Sequence, residues 1–205
     1  MRNKWYSDNR DLVKWSVLLI LAEKYQCTRI LQIACFIPSE YGTIEIDGQE
    51  HEIPPEVLLH FRDIRKIQSM TSHPQISVLD SVFENRKSYF ESVKKYIASF
   101  SGDRCVVFLD PDTGLEPAGK SCFKHILNEE VRSIWNDLPA DWLLVFYQHQ
   151  TNRSGNPWIE DKRKQFANAI SVPLGEVKVA SGMKIASDVV FFYVLKSDMK
   201  NPKKL

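Results

Sequence analysis

The sequence lacks a long hydrophobic run, a large net charge of either sign, a paired-cysteine spacing and an internal repeat, and each absence removes a class of protein. The longest apolar run, Val17 to Ala22, is far short of the roughly 20 residues a membrane-spanning helix needs. Twenty-seven basic and 26 acidic side chains leave a formal charge of +1, so nothing drives the whole chain towards nucleic acid or membrane, and such binding would need a local patch. Cys27, Cys35, Cys105 and Cys122 form no Cys-x-x-Cys pair and no zinc-ligand spacing, so they read as structural thiols in a reducing cytoplasm. No signal-peptide pattern opens the chain. A soluble, cytoplasmic protein with no membrane partner is expected. With no linker or low-complexity tract, the 205 residues are expected to form one α/β domain over 1–205, with 196–205 a frayed basic tail.

What is present is an alternation of strand-like and helix-like segments. A helix is expected from Arg10 to Tyr25, with Asp8 and Asp11 at capping-box spacing. Apolar residues cover nearly its whole circumference, so it should be buried on most sides. Lys14 is the exception: either its amine snorkels to solvent, or Asp8, Asn9, Asp11 and Lys14 line a pocket. Arg29 to Ile37 reads as a central parallel strand. Thr43 to Ile53 alternates around Asp47-Gly48, a type I′ hairpin signal. Pro54 and Pro55 open a helix whose face is Val57, Leu58, Phe61, Ile64 and Ile67, with Arg62, Arg65 and Lys66 as a solvated basic face or a phosphate-contacting surface.

Gln75 to Leu79 is a short strand, and Ser81 with Glu84 would cap a helix running to Phe100, closed by Gly102. Cys105 to Leu109 is a buried strand. A helix starting at Ser121 or Cys122 and ending before Pro139, a strand from Trp142 to Tyr147, a helix from Ile159 to Ile170 and strands at Glu176–Ala180 and Asp188–Leu195 complete the pattern. The alternation argues for a single doubly wound, mostly parallel Rossmann-like sheet with a β-hairpin insertion at 43–53 and a last strand that runs antiparallel.

Two strands empty into polar loops. One delivers Asp110, Pro111, Asp112, Thr113 and Glu116; the other delivers Gln148, His149, Gln150, Asn152 and Arg153. Ligands in open α/β sheets sit outside the carboxyl ends of strands. If these two strands are neighbours, carboxylates, a histidine, amides and a cation face one crevice, an inventory suited to proton transfer, metal binding or recognition of a polar base. Asp110 alone is also explained by hydrogen bonds within its own turn.

The opening residues Tyr6, Asp8-Asn9, Asp11 and Lys14-Trp15, the strand ending in Asp110-Pro111, and the late Ala180-Ser181-Gly182-Met183 together resemble Rossmann-type S-adenosylmethionine-dependent methyltransferases. The resemblance is closest to the bacterial ribosomal-RNA adenine-N6 type, whose amino terminus carries Gly-Asn-x-x-Asp-x-x-Lys-His. Asn9, Lys14 and Trp15 match that element, with Asp11 one place out of step. It implies a methyltransferase-like enzyme acting on nucleic acid or nucleotide. Asp110 would orient an amino group, Asp112 and His149 would serve as acid/base groups, and Asp8, Asn9, Asp11, Lys14, Pro111, Thr113, Gln148, Asn152 and Arg153 would bind substrate or S-adenosylmethionine. The chain departs from that pattern twice. Asp112 and Thr113 stand where the family has a second proline and an aromatic ring, and Pro38-Ser39-Glu40-Tyr41-Gly42 replaces the Gly-rich turn that admits the methyl donor.

The same strand also resembles the first motif of haloacid-dehalogenase-type phosphatases, Asp-x-Asp-x-Thr, with Thr113 one place early. That implies a metal-dependent phosphoester hydrolase or nuclease in which Asp110, Asp112 and Glu116 hold Mg²⁺. A non-catalytic binding protein on a methyltransferase-like fold is the third expectation.

Overall fold

A computed structural model describes residues 8–38, 42–150 and 157–197. Tyr6, Asn152, Arg153 and the end of the basic tail lie outside the described residues.

The elements are α1 (Asn9–Lys24), β1 (Arg29–Ile33), β2 (Thr43–Ile46), β3 (Gln49–Glu52), α2 (Pro55–Arg62), a 3-10 helix (Ile64–Ser69), β4 (Gln75–Leu79), α3 (Arg86–Ala98), β5 (Cys105–Leu109), β6 (Gly114–Leu115), β7 (His125–Ile126), α4 (Asn128–Asp137), β8 (Leu143–His149), α5 (Ile159–Ile170), a 3-10 turn (Leu174–Glu176), β9 (Lys178–Gly182) and β10 (Ala186–Leu195). Six strands form the central sheet in the order β4-β1-β5-β8-β10-β9. The first four run parallel. β10 is antiparallel to both β8 and β9, as expected for the last strand. The protein is thus α/β with a mostly parallel sheet, and among the described residues no helix is long and apolar enough to cross a membrane.

Side chains alternate across each strand, so the sheet has two apolar faces. One is covered by α3, α4 and α5 through Tyr89, Val93, Ile97, Val131, Ile134, Trp135, Phe166 and Ile170. The other meets α1 through Val13, Trp15, Leu18, Leu21 and Ala22. The hairpin β2–β3 forms a two-stranded sheet of its own, and its turn residues Asp47 and Gly48 both have positive φ, 53° and 77°, as a type I′ turn requires.

Several boundaries differ from expectation for local reasons. β1 ends at Ile33 rather than Ile37, because Cys35 turns into a left-handed conformation with φ 43°. Asp63, extended at ψ 91°, breaks the expected long helix into α2 and the 3-10 helix, and its carboxylate accepts the Arg65 N–H. Asn85, not Ser81 with Glu84, caps α3, and Ser99 rather than Gly102 closes it. α4 starts at Asn128 because His125-Ile126 pairs with Gly114-Leu115; Glu130 then reaches back to the Leu127 N–H at 2.8 Å, and Phe123 is left exposed. β9 runs from Lys178 to Gly182 rather than from Glu176 to Ala180. Finally, α1 is not buried all round: Leu12 and Ile20 are 56% and 63% exposed.

Candidate functional site

α1 buries the stripe Asp11, Lys14, Leu18, Leu21 and Ala22 against the sheet. Spacing of three to four residues puts these side chains on one face. The stripe is apolar where the helix crosses the middle of the sheet and turns charged at its first turn. The strands change in the same way. On the α1 side β1 presents Ile30 and β5 presents Val106 and Phe108, while β8 presents Leu143, Val145 and Tyr147. The next outward positions on that side are Gln32, Asp110 and His149. Charged and polar groups from four segments thereby meet at the carboxyl ends of β1, β5 and β8.

Asp8 caps α1 by accepting the Arg10 and Asp11 N–H groups at 2.8 and 3.1 Å. That capping turn sets Asp11 and Lys14 over Asp110. The Lys14 Nζ lies 2.7 Å from Asp11 Oδ1 and 3.0 Å from Asp110 Oδ2. Gln32 Nε2 donates to the same Asp110 oxygen at 2.7 Å. Lys14 is 4% exposed and Asp110 1%. The lysine therefore does not snorkel to solvent; it is held inside by two carboxylates. Burial on its own would push the ammonium pKa down, but the Asp110 and Asp11 charges outweigh it and the net direction is up. Its Nζ also lies 5.5 Å from the Tyr147 ring centroid and 5.9 Å from that of Phe108, within range for a cation over an aromatic face.

A second charged chain runs along the wall. Arg10 Nη1 reaches Asp8 Oδ2 at 3.2 Å, while its Nε and Nη2 donate to Asp188 Oδ2. His149 Nε2 lies 3.1 Å from the same Asp188 oxygen, and its Nδ1 lies 3.0 Å from the Gln150 carbonyl oxygen. The hydrogen bond to Asp188 raises the Arg10 pKa. For Asp188, burial pushes upward, yet the Arg10 bond and charge win and hold it below the usual aspartate range.

Together these residues surround a cleft of about 250 Å³ lined by Asp8, Arg10, Asp11, Lys14, Asp110, Pro111, Asp112, Thr113, Tyr147 and His149. Most of the residues singled out in the sequence are brought together here. Asn9 is not; it is exposed on the first turn of α1. Gln148 faces the opposite side of the sheet. Its Oε1 accepts the Leu115 N–H at 2.9 Å and its Nε2 donates to the His149 carbonyl at 2.8 Å, which fixes the loop after β5. Glu116 is also turned away, accepting the Asn128 N–H at 2.8 Å. Asp110, Asp112 and Glu116 do not converge, and among the described residues no group of three or more His, Cys, Asp or Glu side chains is placed to hold a metal.

Three residues of the cleft and its wall carry no motif: Arg10, Tyr147 and Asp188. The signal for Asp188 is topological, since antiparallel pairing of β10 with β8 sets it beside Gln150, whose N–H donates to the Asp188 carbonyl at 2.8 Å.

No protein-family model matches this chain, and no curated protein matches it.

Proposed function

We propose that this chain is a divergent, methyltransferase-like protein of the doubly wound, Rossmann-like type whose cleft takes a nucleotide, free or within nucleic acid. One observation carries the reading. Two of the three stretches on which the resemblance rests, the amino-terminal element and the Asp-Pro strand end, meet in a buried ion pair, Lys14 to Asp110 at 3.0 Å. An Asp that merely stabilised its own turn would not need that distant partner.

The sheet supports the same reading. In chain order its four parallel strands lie second, first, third, fourth. The connection leaving β1 packs Ile67 on the α1 face, whereas the connection leaving β5 packs α4 on the opposite face. That reversal makes the edge between β1 and β5 a topological switch point, where ligands of doubly wound sheets bind. Asp110 and Gln32 sit on it. Within the cleft, Asp112 and Thr113 offer polar contacts from the loop after β5, and the Tyr147 ring offers an apolar wall.

S-adenosylmethionine is the donor that such a protein would use, and the described residues at the end of β1 do not fit its usual seat. No glycine stands between Ile33 and Pro38, so the backbone there is not bare for close approach. The proposed ligand therefore lies on the substrate side of the site. The hydrolase alternative gains nothing from the geometry, because Asp110, Asp112 and Glu116 do not converge and Asp110 Oδ2 already accepts from the Lys14 ammonium and the Gln32 amide.

Titration calorimetry with the four common ribonucleoside monophosphates and with a short single-stranded RNA tests the proposal. Saturable binding to the wild type that is lost in Asp110→Asn and in Asp112→Ala, both checked for native circular dichroism, is expected. Absence of binding by every nucleotide and by RNA overturns it.

A further inference from the structure

The end of β1 is closed rather than merely short of glycine. The Ala34 N–H donates to the Leu79 carbonyl at 3.3 Å, and the Cys35 N–H donates to the Tyr89 hydroxyl at 2.9 Å. Beyond the sheet, Phe36 and Val82 form an isolated parallel bridge, and the Phe36 carbonyl accepts the Phe83 N–H at 2.8 Å. The two chain segments leaving β1 and β4 are thus zipped together, on the side of β1 away from the β1–β5 edge.

A rigid cluster backs this zip. The Phe83 ring centroid is 4.7 Å from that of Tyr89, 5.8 Å from Phe90 and 5.3 Å from Phe123. The Arg86 guanidinium lies 5.1 Å from the Phe83 ring centroid and 5.3 Å from that of Phe123, and its Nη1 donates to both Glu130 oxygens at 2.9 and 2.8 Å. Phe83, Tyr89 and Phe90 are each buried. Displacing Tyr89 would leave a buried backbone N–H without its acceptor and open a gap in the core.

Dinucleotide-type ligands at this edge use two further devices, free backbone N–H groups and the amino terminus of the helix that follows the first strand. Here the amides of Ala34 and Cys35 are spent within the fold, and among the described residues β1 is followed by the hairpin, with the next helix beginning at Pro55.

We infer that the Phe36, Phe83 and Tyr89 closure bars S-adenosylmethionine from the end of β1, so that the cleft between α1, β5 and β8 holds its ligand alone. The inference rests on the methyltransferase-like reading for where a donor would sit. It makes the protein a single-ligand binder on a two-ligand architecture.

The full chain should be titrated with S-adenosylmethionine and S-adenosylhomocysteine by calorimetry, followed by amide chemical-shift mapping in the presence of each at about 1 mM. No saturable heat and no shift of the Ala34, Cys35 or Phe36 amides is expected. Nucleotide affinity should also change less than about two-fold when S-adenosylhomocysteine is present, since linked sites would change it by five-fold or more. Saturable binding with a dissociation constant below about 100 μM and shifts at those amides overturns the inference while leaving the nucleotide reading standing. Failure of every nucleotide to bind overturns that reading instead, and the donor titration then reports on the closure by itself.

Discussion

Lys14 and Asp110 lie 96 positions apart in the chain and meet at 3.0 Å in the interior. With Asp11 they make a buried group of two carboxylates around one ammonium, and their side chains are 5%, 2% and 10% exposed for Lys14, Asp110 and Asp11. Removing one partner of such a pair leaves the other charge buried and unmatched, at about 3–5 kcal/mol. Lys14→Met should cost that much in urea denaturation. Asp110→Asn in the Lys14→Met background should cost less than in the wild type, by at least about 1 kcal/mol, because the charge it removes has by then lost its partner. Additivity within about 0.5 kcal/mol would show that the two residues are not energetically coupled.

The wall of the cleft has a different pH signature. Asp188 is held below the ordinary aspartate range, burial notwithstanding, by Arg10. A carboxylate whose folded pKa is depressed contributes stability above its unfolded value, near pH 4, and loses it as pH falls through the folded value. Arg10 stays charged throughout, its own pKa being raised by Asp188. The stability difference between the wild type and Asp188→Asn should therefore shrink as the pH falls below about 4. A difference that persists undiminished at the acid end would mean that Asp188 acts through packing rather than charge.

Much of this arrangement was legible in the sequence, and the reasons differ by residue. The apolar runs at 105–109 and 142–147 fall in β5 and, from Leu143 onward, in β8, because a strand covered on both faces must be continuously hydrophobic. The clustering at Asp110 followed from where those runs stop. Lys14 was ambiguous, because a lysine on an apolar helix ordinarily reaches water, and the carboxylate that keeps it inside is distant in sequence. Arg10 was hidden in a capping segment, and Asp188 is a lone acid whose neighbours depend on the register of β10. The helical period of Phe123 and Ile126 predicts an earlier start for α4, yet the His125-Ile126 pair is drawn into a short parallel ladder with Gly114-Leu115. Long-range pairing overrode local pattern at each of these places.

Gly182 on β9 faces the Val13 side chain of α1. A methyl group there would lie 2.6 Å and 2.8 Å from the two Val13 methyl carbons, well inside van der Waals contact. Gly182→Ala should destabilise by about 1–3 kcal/mol through overpacking. Val13→Ala opens the space that the added methyl needs, so the double variant should be more stable than the sum of the single changes implies. Simple additivity would show that β9 moves off the helix instead.

The last prediction joins the fold to the cleft. Gly114 has φ 136°, a conformation that side chains rarely adopt, and a Cβ added there would run into the Gln148 amide. That amide accepts the Leu115 N–H at 2.9 Å, and the Thr113 carbonyl accepts the His149 N–H at 2.8 Å. The glycine is thus the point at which the loop carrying Asp112 and Thr113 is pressed onto β8. Gly114→Ala meets both backbone strain and overpacking, each of about 1–3 kcal/mol, for an expected loss of about 2–6 kcal/mol. Gln148→Ala removes the overlap and leaves the strain, so adding it to Gly114→Ala should recover only part of the loss. Because the strained loop borders the cleft, Gly114→Ala should also weaken nucleotide binding under conditions where the variant is fully folded, as read by calorimetry. Unchanged affinity in a folded Gly114→Ala protein would mean that Asp112 and Thr113 do not touch the ligand.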